Sequence, residues 1–366
     1  MNRTIKRVVA PAGAALMLAA ALSACGAGNE SDSGSDGASS GDSSLSGTLS
    51  GAGASSQEAA VSAWQQGFQS ANPDVTVNYD PVGSGGGREQ FIAGGIDFAG
   101  SDAYLEDEEL TGAKERCGGN IVEVPTYVSP IAVVYNLQGV DELNLSPAVV
   151  GDIFQGTIKT WDDAKIKADN PDADLPSTAI TPVHRSDDSG TTENFTDYLD
   201  QTSGGTWTGG AIQTWPIKGG EGAEGTSGVI SAVQGGDGTI GYADASQAGD
   251  LGVAKIGVGD EFVEPTADAA AAVLDESEQV SGRDATDIAF TVNRTTTESG
   301  VYPIVLVSYM IACEKYEDAA KGELVKGFLT YVSSADGQEA AAKGAGSAPI
   351  SEDLESKIRP IVEKIS

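Results

Sequence analysis

Short apolar, β-branched runs alternate along this chain with stretches whose apolar positions recur at helical spacing. Residues 75–79, 121–124, 131–135 and 304–309 concentrate Val, Ile and Tyr between polar or glycine-bearing segments, which predicts buried strands. Residues 57–70, 87–93, 147–154, 192–200, 227–234 and 322–333 carry the helical pattern. Alternation of the two periods predicts an α/β architecture with crossover connections. No self-similarity of solenoid length interrupts it.

The first residues depart from this pattern. Arg3, Lys6 and Arg7 precede an apolar stretch from Val8 to Leu22, too short for a comfortable membrane span and built like a secretory leader. Leu22-Ser23-Ala24-Cys25 resembles the lipobox of bacterial lipoproteins, so residues 1–24 are expected to be removed and Cys25 to carry acyl chains. Ordinary cleavage would instead leave Cys25 as an incidental thiol. Residues 25–45 are nearly all Gly, Ser, Asp, Ala, Asn and Glu, with little to bury, and predict a flexible tether. The expected location is the outer face of the cytoplasmic membrane, reached only through the lipid.

Without the leader 342 of the 366 residues remain, enough for two lobes. The formal charge of −33 becomes −36, because the leader is purely basic. Such acidity excludes nucleic acid and anionic membrane surfaces as natural partners. It also means that any anion must be held by short local contacts against a repulsive field. Cys117 and Cys313 are the remaining cysteines. In an exported chain they read as a disulfide joining early and late segments, or as two buried thiols.

Candidate chemistry concentrates in His184-Arg185-Ser186-Asp187-Asp188-Ser189-Gly190-Thr191-Thr192. A cation, several hydroxyls and unobstructed backbone N–H groups occur there just before a predicted helix. A helix start offers unpaired N–H groups and the positive end of the dipole, which suits a small tetrahedral oxyanion without a metal. The same residues fit a plain helix cap, with Arg185 pairing Asp187 on a solvated loop. Two further glycine-bearing turns, 51–56 and 83–88, also feed predicted helices, although each alone is equally a simple strand-to-helix connection. Neither has the spacing of a nucleotide phosphate loop. Asp102 follows a short turn-like segment; a buried carboxylate only accepts hydrogen bonds, so it would favour an anion that still carries a proton.

Taken in order, Gly51-Ala52-Gly53-Ala54-Ser55-Ser56, Val77-Asn78-Tyr79 with Gly83-Ser84-Gly85-Gly86, Asp97-Phe98-Ala99-Gly100-Ser101-Asp102, Trp161-Asp162-Asp163, Arg185 to Thr191, Gly238-Thr239-Ile240-Gly241-Tyr242 and Tyr302-Pro303-Ile304 resemble the phosphate-binding lipoprotein of bacterial high-affinity phosphate ABC importers. The resemblance runs from about residue 46 to the C-terminus. It implies a type II periplasmic-binding-protein fold: two α/β lobes, 46–127 with 304–366 and 128–303, a hinge of two crossover segments, and ligand in the cleft. It further implies phosphate ligands Ser55, Ser56, Ser84 and Asp102 from one lobe and Arg185, Ser189, Gly190 and Thr191 from the other, with Asp187 orienting Arg185. Position 56 is expected to supply only its N–H. Permease subunits are the implied partners of a monomer that has no cofactor and no metal.

Other functions draw on the same residues. Sulfate, molybdate or another oxyanion would suit the scaffold, but would leave Asp102 facing an unprotonated oxygen. A phosphate-ester hydrolase would need Ser189, His184 and Asp187 as a relay, although they crowd one short turn and His184 is the only histidine. An additional adhesin role for the acidic surface stays open.

Overall fold

The computed structural model describes residues 45–366. The leader, Cys25 and residues up to 44 lie outside the described residues. Leu45, expected as the last residue of the tether, instead packs on the apolar cluster around Phe68 and Phe328.

Strands and helices alternate around one nine-stranded sheet. On one side, Gly47–Gly53 lies parallel to both Val75–Asp80 and Phe98–Ser101. On the other, Thr181–Arg185 lies parallel to Thr239–Asp244 and Glu221–Ala223. Two long antiparallel strands, Ile121–Asn136 and Val305–Cys313, occupy the middle. Ile121 to Pro130 pair with Val305–Cys313, whereas Ile131 to Asn136 pair with Thr239–Asp244. One continuous strand therefore passes from one half of the sheet to the other.

The segments 121–124 and 131–135 were expected as separate strands, and this is corrected: Pro125 and Pro130 lie inside a single strand of 16 residues. Neither proline interrupts a regular ladder. Pro125 borders a register shift opposite Ser308 and Tyr309, and Pro130 stands where the strand exchanges partners. A residue without an N–H is tolerated at such irregularities.

Helix starts differ from expectation in one direction. The helix expected from 87 begins at Ser84, and those expected from 192, 227 and 322 begin at Gly190, Gly225 and Ala319. Glycines that read as turn residues belong to first helical turns, because tertiary packing demands them. A Cβ on Gly87 would stand 2.4 Å from the Gly53 Cα, so Ser84–Ile92 rests on the first strand only where no side chain intervenes. The other two expected helices, Glu58–Ala71 and Pro147–Gln155, match to within a residue, while Asp107–Cys117, Ala164–Asp169, Ala267–Asp275, Ala335–Ala345 and Glu352–Val362 were not expected.

Three apolar clusters hold the elements: one around Trp64, Phe68 and Phe328, one around Phe154, Phe195 and Tyr242, and a smaller one around Val183, Val229 and Val233. A disulfide joins Cys117, at the end of helix Asp107–Cys117, to Cys313, the last residue of its strand.

Candidate oxyanion site

Parallel strands release their helices at their carboxyl ends, and here those ends meet. Ser55 and Ser56 follow Gly47–Gly53, Ser84 follows Val75–Asp80, Asp102 follows Phe98–Ser101, and Arg185 ends Thr181–Arg185. Glu221–Ala223 leads into helix Gly225–Gly235, whose Thr226 reaches the same place. Ligand sites of open α/β sheets form outside the carboxyl ends of strands, where helix N-termini point.

The expected residues converge. Ser55, Ser56, Ser84, Asp102, Arg185, Ser189 and Thr191 are each at most 3% exposed. Gly190 packs so closely on the opposing segment that a Cβ there would lie 2.6 Å from the Ser84 hydroxyl oxygen and 2.7 Å from the Asp102 Cβ. Contacts across the sheet close the site. The Thr226 backbone N–H donates to the Ser55 hydroxyl at 3.0 Å, the Gly85 N–H donates to the Asp188 carbonyl at 3.2 Å, and Gln247 donates to the Ser55 carbonyl at 3.1 Å.

Asp102 sits at the centre of these contacts. Its carboxylate accepts from the Ser56 hydroxyl at 2.8 and 2.7 Å, from the Thr191 hydroxyl at 3.0 Å and from the Ser308 hydroxyl. Its backbone N–H donates to the Ser84 hydroxyl at 3.0 Å, and its carbonyl accepts from Asn194 at 2.8 Å. Burial raises its pKa above the usual carboxylate value, against the opposing pull of the Ser308, Ser56 and Thr191 hydroxyls and of Arg185. The Ser56 side chain is thus engaged, where only its N–H was expected to matter.

Arg185 is held in a fork. Its Nε donates to Asp187 at 2.7 Å and its Nη2 to the second oxygen, while the Gly225 N–H also donates to Asp187 at 3.1 Å. Burial acts to raise Asp187, but the hydrogen bond and charge of Arg185 outweigh it and hold the carboxyl below its ordinary value. Ser189 caps the helix Gly190–Thr202 by accepting from the Thr192 N–H at 3.1 Å. Both features of the plain-cap reading are present, but deep in the cleft and not on a solvated loop. His184 stacks on Trp215, with ring centroids 5.0 Å apart, and its Nδ1 lies 2.9 Å from the Arg185 carbonyl.

Several contributors escaped the sequence reading. Ser308 lies in an apolar strand, Thr226 in a helix expected to start one residue later, and Asn194 in the first turns after Ser189. Arg88, 2% exposed, donates to Ser101 at 2.9 Å, to Gln213 at 2.7 Å and to Glu109 at 2.9 Å, fixing the residue next to Asp102. The glycine-bearing turn before Thr226 was the available signal for that residue, since it repeats the design of the other helix starts. Asp102 also lines a cavity of about 180 Å³ together with Tyr104, Glu193, Asn194, Asp197 and Arg294. Among the described residues no cluster of His, Cys, Asp and Glu is arranged to hold a metal ion.

A fold of this kind with a buried polar site at its strand ends is the architecture of a periplasmic-binding-protein domain, and comparison agrees: residues 38–336 match the PBP superfamily domain. The chain belongs to that superfamily and, within it, to the family of the PstS proteins. It is 36% identical to the phosphate-binding protein PstS2 of Mycobacterium bovis (strain BCG / Pasteur 1173P2), over 98% of this chain and 99% of the relative. It is also 36% identical to the phosphate-binding protein PstS 3 of Mycobacterium leprae (strain TN), over 86% of each. Among solved structures, a high-affinity periplasmic phosphate-binding protein, PfluDING, bound with phosphate at pH 8.5, superposes with a TM-score of 0.71. That match covers 86% of this chain and 93% of the other at 24% identity, and it establishes the type II periplasmic-binding-protein fold.

Proposed function

We propose that this protein captures inorganic phosphate outside the cytoplasm and delivers it to the permease subunits of an ABC importer. The observation that carries the reading is the enclosure of one acceptor carboxylate, Asp102, beside one oriented guanidinium, Arg185, at helix N-termini contributed by both halves of the sheet. Amide dipoles and a guanidinium attract an oxyanion. A carboxylate accepts only from an oxyanion that keeps a proton, so phosphate is admitted near neutral pH and sulfate is refused. The ligands are Ser55, Ser56, Ser84, Asp102, Arg185, Ser189, Gly190 and Thr191, with Asp187 fixing the Arg185 fork.

The lobes in this reading are 46–127 with 304–366 and 128–303, hinged where Ile121–Asn136 changes partners. Ligand contacts shared between lobes favour the closed state by their differential affinity for it. Cys25 carries the lipid, residues beyond it form the tether, and the protein works as a monomer. It binds and does not hydrolyse: Ser189 is occupied as a helix cap, Asp187 grips Arg185, and His184 stacks on Trp215. Calorimetric titration with phosphate, with sulfate and arsenate alongside, tests the assignment. Saturable phosphate binding that excess sulfate does not displace is expected; equal binding of sulfate at pH 8 overturns it.

A further inference from the structure

We propose that Ser56 and Ser308 are the positioning residues that set anion selectivity, by holding Asp102 as a carboxylate with one acceptor position left for a guest hydroxyl. The inference rests on the phosphate reading of the same cleft.

An ionised carboxylate offers about four lone-pair positions. Three hydroxyl protons make four contacts with Asp102, two on each oxygen: Ser56 is shared between both at 2.8 and 2.7 Å, Ser308 is on Oδ1, and Thr191 is on Oδ2 at 3.0 Å, so a Ser56 proton that settles on one oxygen frees one position on the other. A guest bringing one proton completes the set. A guest with none places a lone pair against a lone pair. Ser56 and Ser308 come from opposite ends of the described chain and are both completely buried, so neither hydroxyl has water as an alternative partner. Ser308 also sits at the register shift opposite Pro125 and Tyr127. Such bulges commonly re-aim a side chain beside a site.

Neutral donors suit this task. They keep the carboxyl ionised without supplying a cation that would compete for the guest. Burial alone would push Asp102 toward its protonated form, and these hydroxyls oppose it. The other ionisable groups around it are Arg185, already gripped by Asp187; Tyr79, whose phenol burial and the Asp102 charge hold in the neutral form; and, across the cavity that Asp102 lines, Glu106, Glu193, the Arg294–Asp197 pair at 3.0 Å, and the phenols of Tyr104 and Tyr309, which burial keeps neutral. Once protonated, Asp102 becomes a donor, and an unprotonated sulfate oxygen then finds a partner. Selectivity should therefore fail at a pH set by these two serines.

The test is calorimetric titration of the full chain, Ser56→Ala and Ser308→Ala with phosphate and separately with sulfate, from pH 8.5 down to pH 5. Wild type should bind phosphate and refuse sulfate over most of this range. In each variant the onset of sulfate binding should move upward by about one pH unit, the scale of one lost hydrogen bond to a charged group. Phosphate binding at pH 8.5 should weaken by no more than about tenfold, since the cation and amides are untouched. An onset identical to wild type in both variants overturns the inference while leaving the phosphate assignment standing. Wild type that binds sulfate as well as phosphate at pH 8 sinks the assignment itself. The two serines lie on different elements, so a folding defect in one variant leaves the other to decide.

Discussion

Two clusters of buried carboxylates in this protein are built in opposite ways. Around Asp102 the donors are hydroxyls, and the nearby cation, Arg185, is already committed to Asp187. Around Glu123 the donors are a guanidinium and a backbone amide. Arg283 bonds Glu123 at 2.6 Å and Asp287 at 2.8 Å, and the Leu105 N–H donates to Glu123 at 2.9 Å. The second cluster ties the loop around residues 283–287 to the long strand and to the segment after Asp102, with one guanidinium shared between two carboxylates. The first shares the Ser56 proton between both carboxylate oxygens, so that a position opens for a guest when that proton settles on one. A carboxylate pair bound to a buried cation of its own cluster marks a fastener, even though Asp287 Oδ2 is left without a partner, whereas a buried carboxylate held by neutral hydroxyls marks a place for a guest.

The largest effect that separates them is removal of the shared cation. Arg283→Ala strands Glu123 and Asp287, whose side chains are 0% and 1% exposed, and should cost about 3–5 kcal/mol of stability. Urea unfolding should reveal that loss, while phosphate affinity of the folded protein stays at its wild-type value. A large fall in affinity with unchanged stability would dissolve the distinction.

Asp102→Asn should behave in reverse. An amide can donate to an unprotonated oxygen and no longer demands a guest proton, so phosphate affinity should drop by about 1–3 kcal/mol and sulfate should begin to compete. Stability of the ligand-free protein should rise, because a buried charge is removed from a site shaped for function and not for rest. Competition titration and thermal melting on one preparation check both halves. Equal loss for phosphate and sulfate would show that Asp102 does not read the proton.

A third measurement uses pH. Burial and the Asp287 charge push Glu123 up to about 8. The folded protein then binds more protons than the unfolded chain from roughly pH 4.5 to 8, so stability falls as pH rises through that window. One such group contributes a slope of at most about 1.4 kcal/mol per pH unit. Glu123→Gln should flatten the profile of urea midpoints between pH 6 and 9. An unaltered slope would mean that Arg283 keeps both carboxylates ionised and that the cluster carries no shared proton.

The two clusters were not equally legible in the sequence. Arg185, Asp187, Ser189, Gly190 and Thr191 are contiguous, and a helix start turns contiguity in sequence into convergence in space. Ser308 was invisible for the opposite reason: it is one short polar side chain in the apolar strand Val305–Cys313, and only the folded sheet brings it to Asp102. Glu123 lay hidden within a strand reading as Ile-Val-Glu-Val, its partners 160 and 164 positions away. Glycine misled in a regular way, because its turn propensity is a local property whereas Gly85 and Gly190, both in first helical turns, are required by contacts from distant segments. The alternation of strands and helices survived such errors, since it is averaged over many residues.

The smallest predicted effect concerns Glu193, which stands between the two kinds of cluster. It lies in the first turn of helix Gly190–Thr202, close in sequence to the anion-binding amides, and lines the cavity beside Asp102. One of its carboxylate oxygens is buried without a hydrogen-bond partner. A first-turn acid ordinarily gains from the helix dipole. Here burial wins, pushing Glu193 up to about 7 although Arg88 pulls the other way. The folded protein therefore holds this proton between roughly pH 4.5 and 7 and loses the associated stability as pH rises through 7. Glu193→Gln should raise stability at pH 8 by less than about 1 kcal/mol, discounted for partial exposure, with the difference vanishing at pH 5. Removing a negative charge near the amides should also tighten phosphate binding at pH 8 by roughly 0.5 kcal/mol, or about twofold. Stability that changes while affinity does not would place Glu193 with the fastener; a change in both assigns it to the anion site, where its charge adds to the field that the amides and Arg185 must overcome.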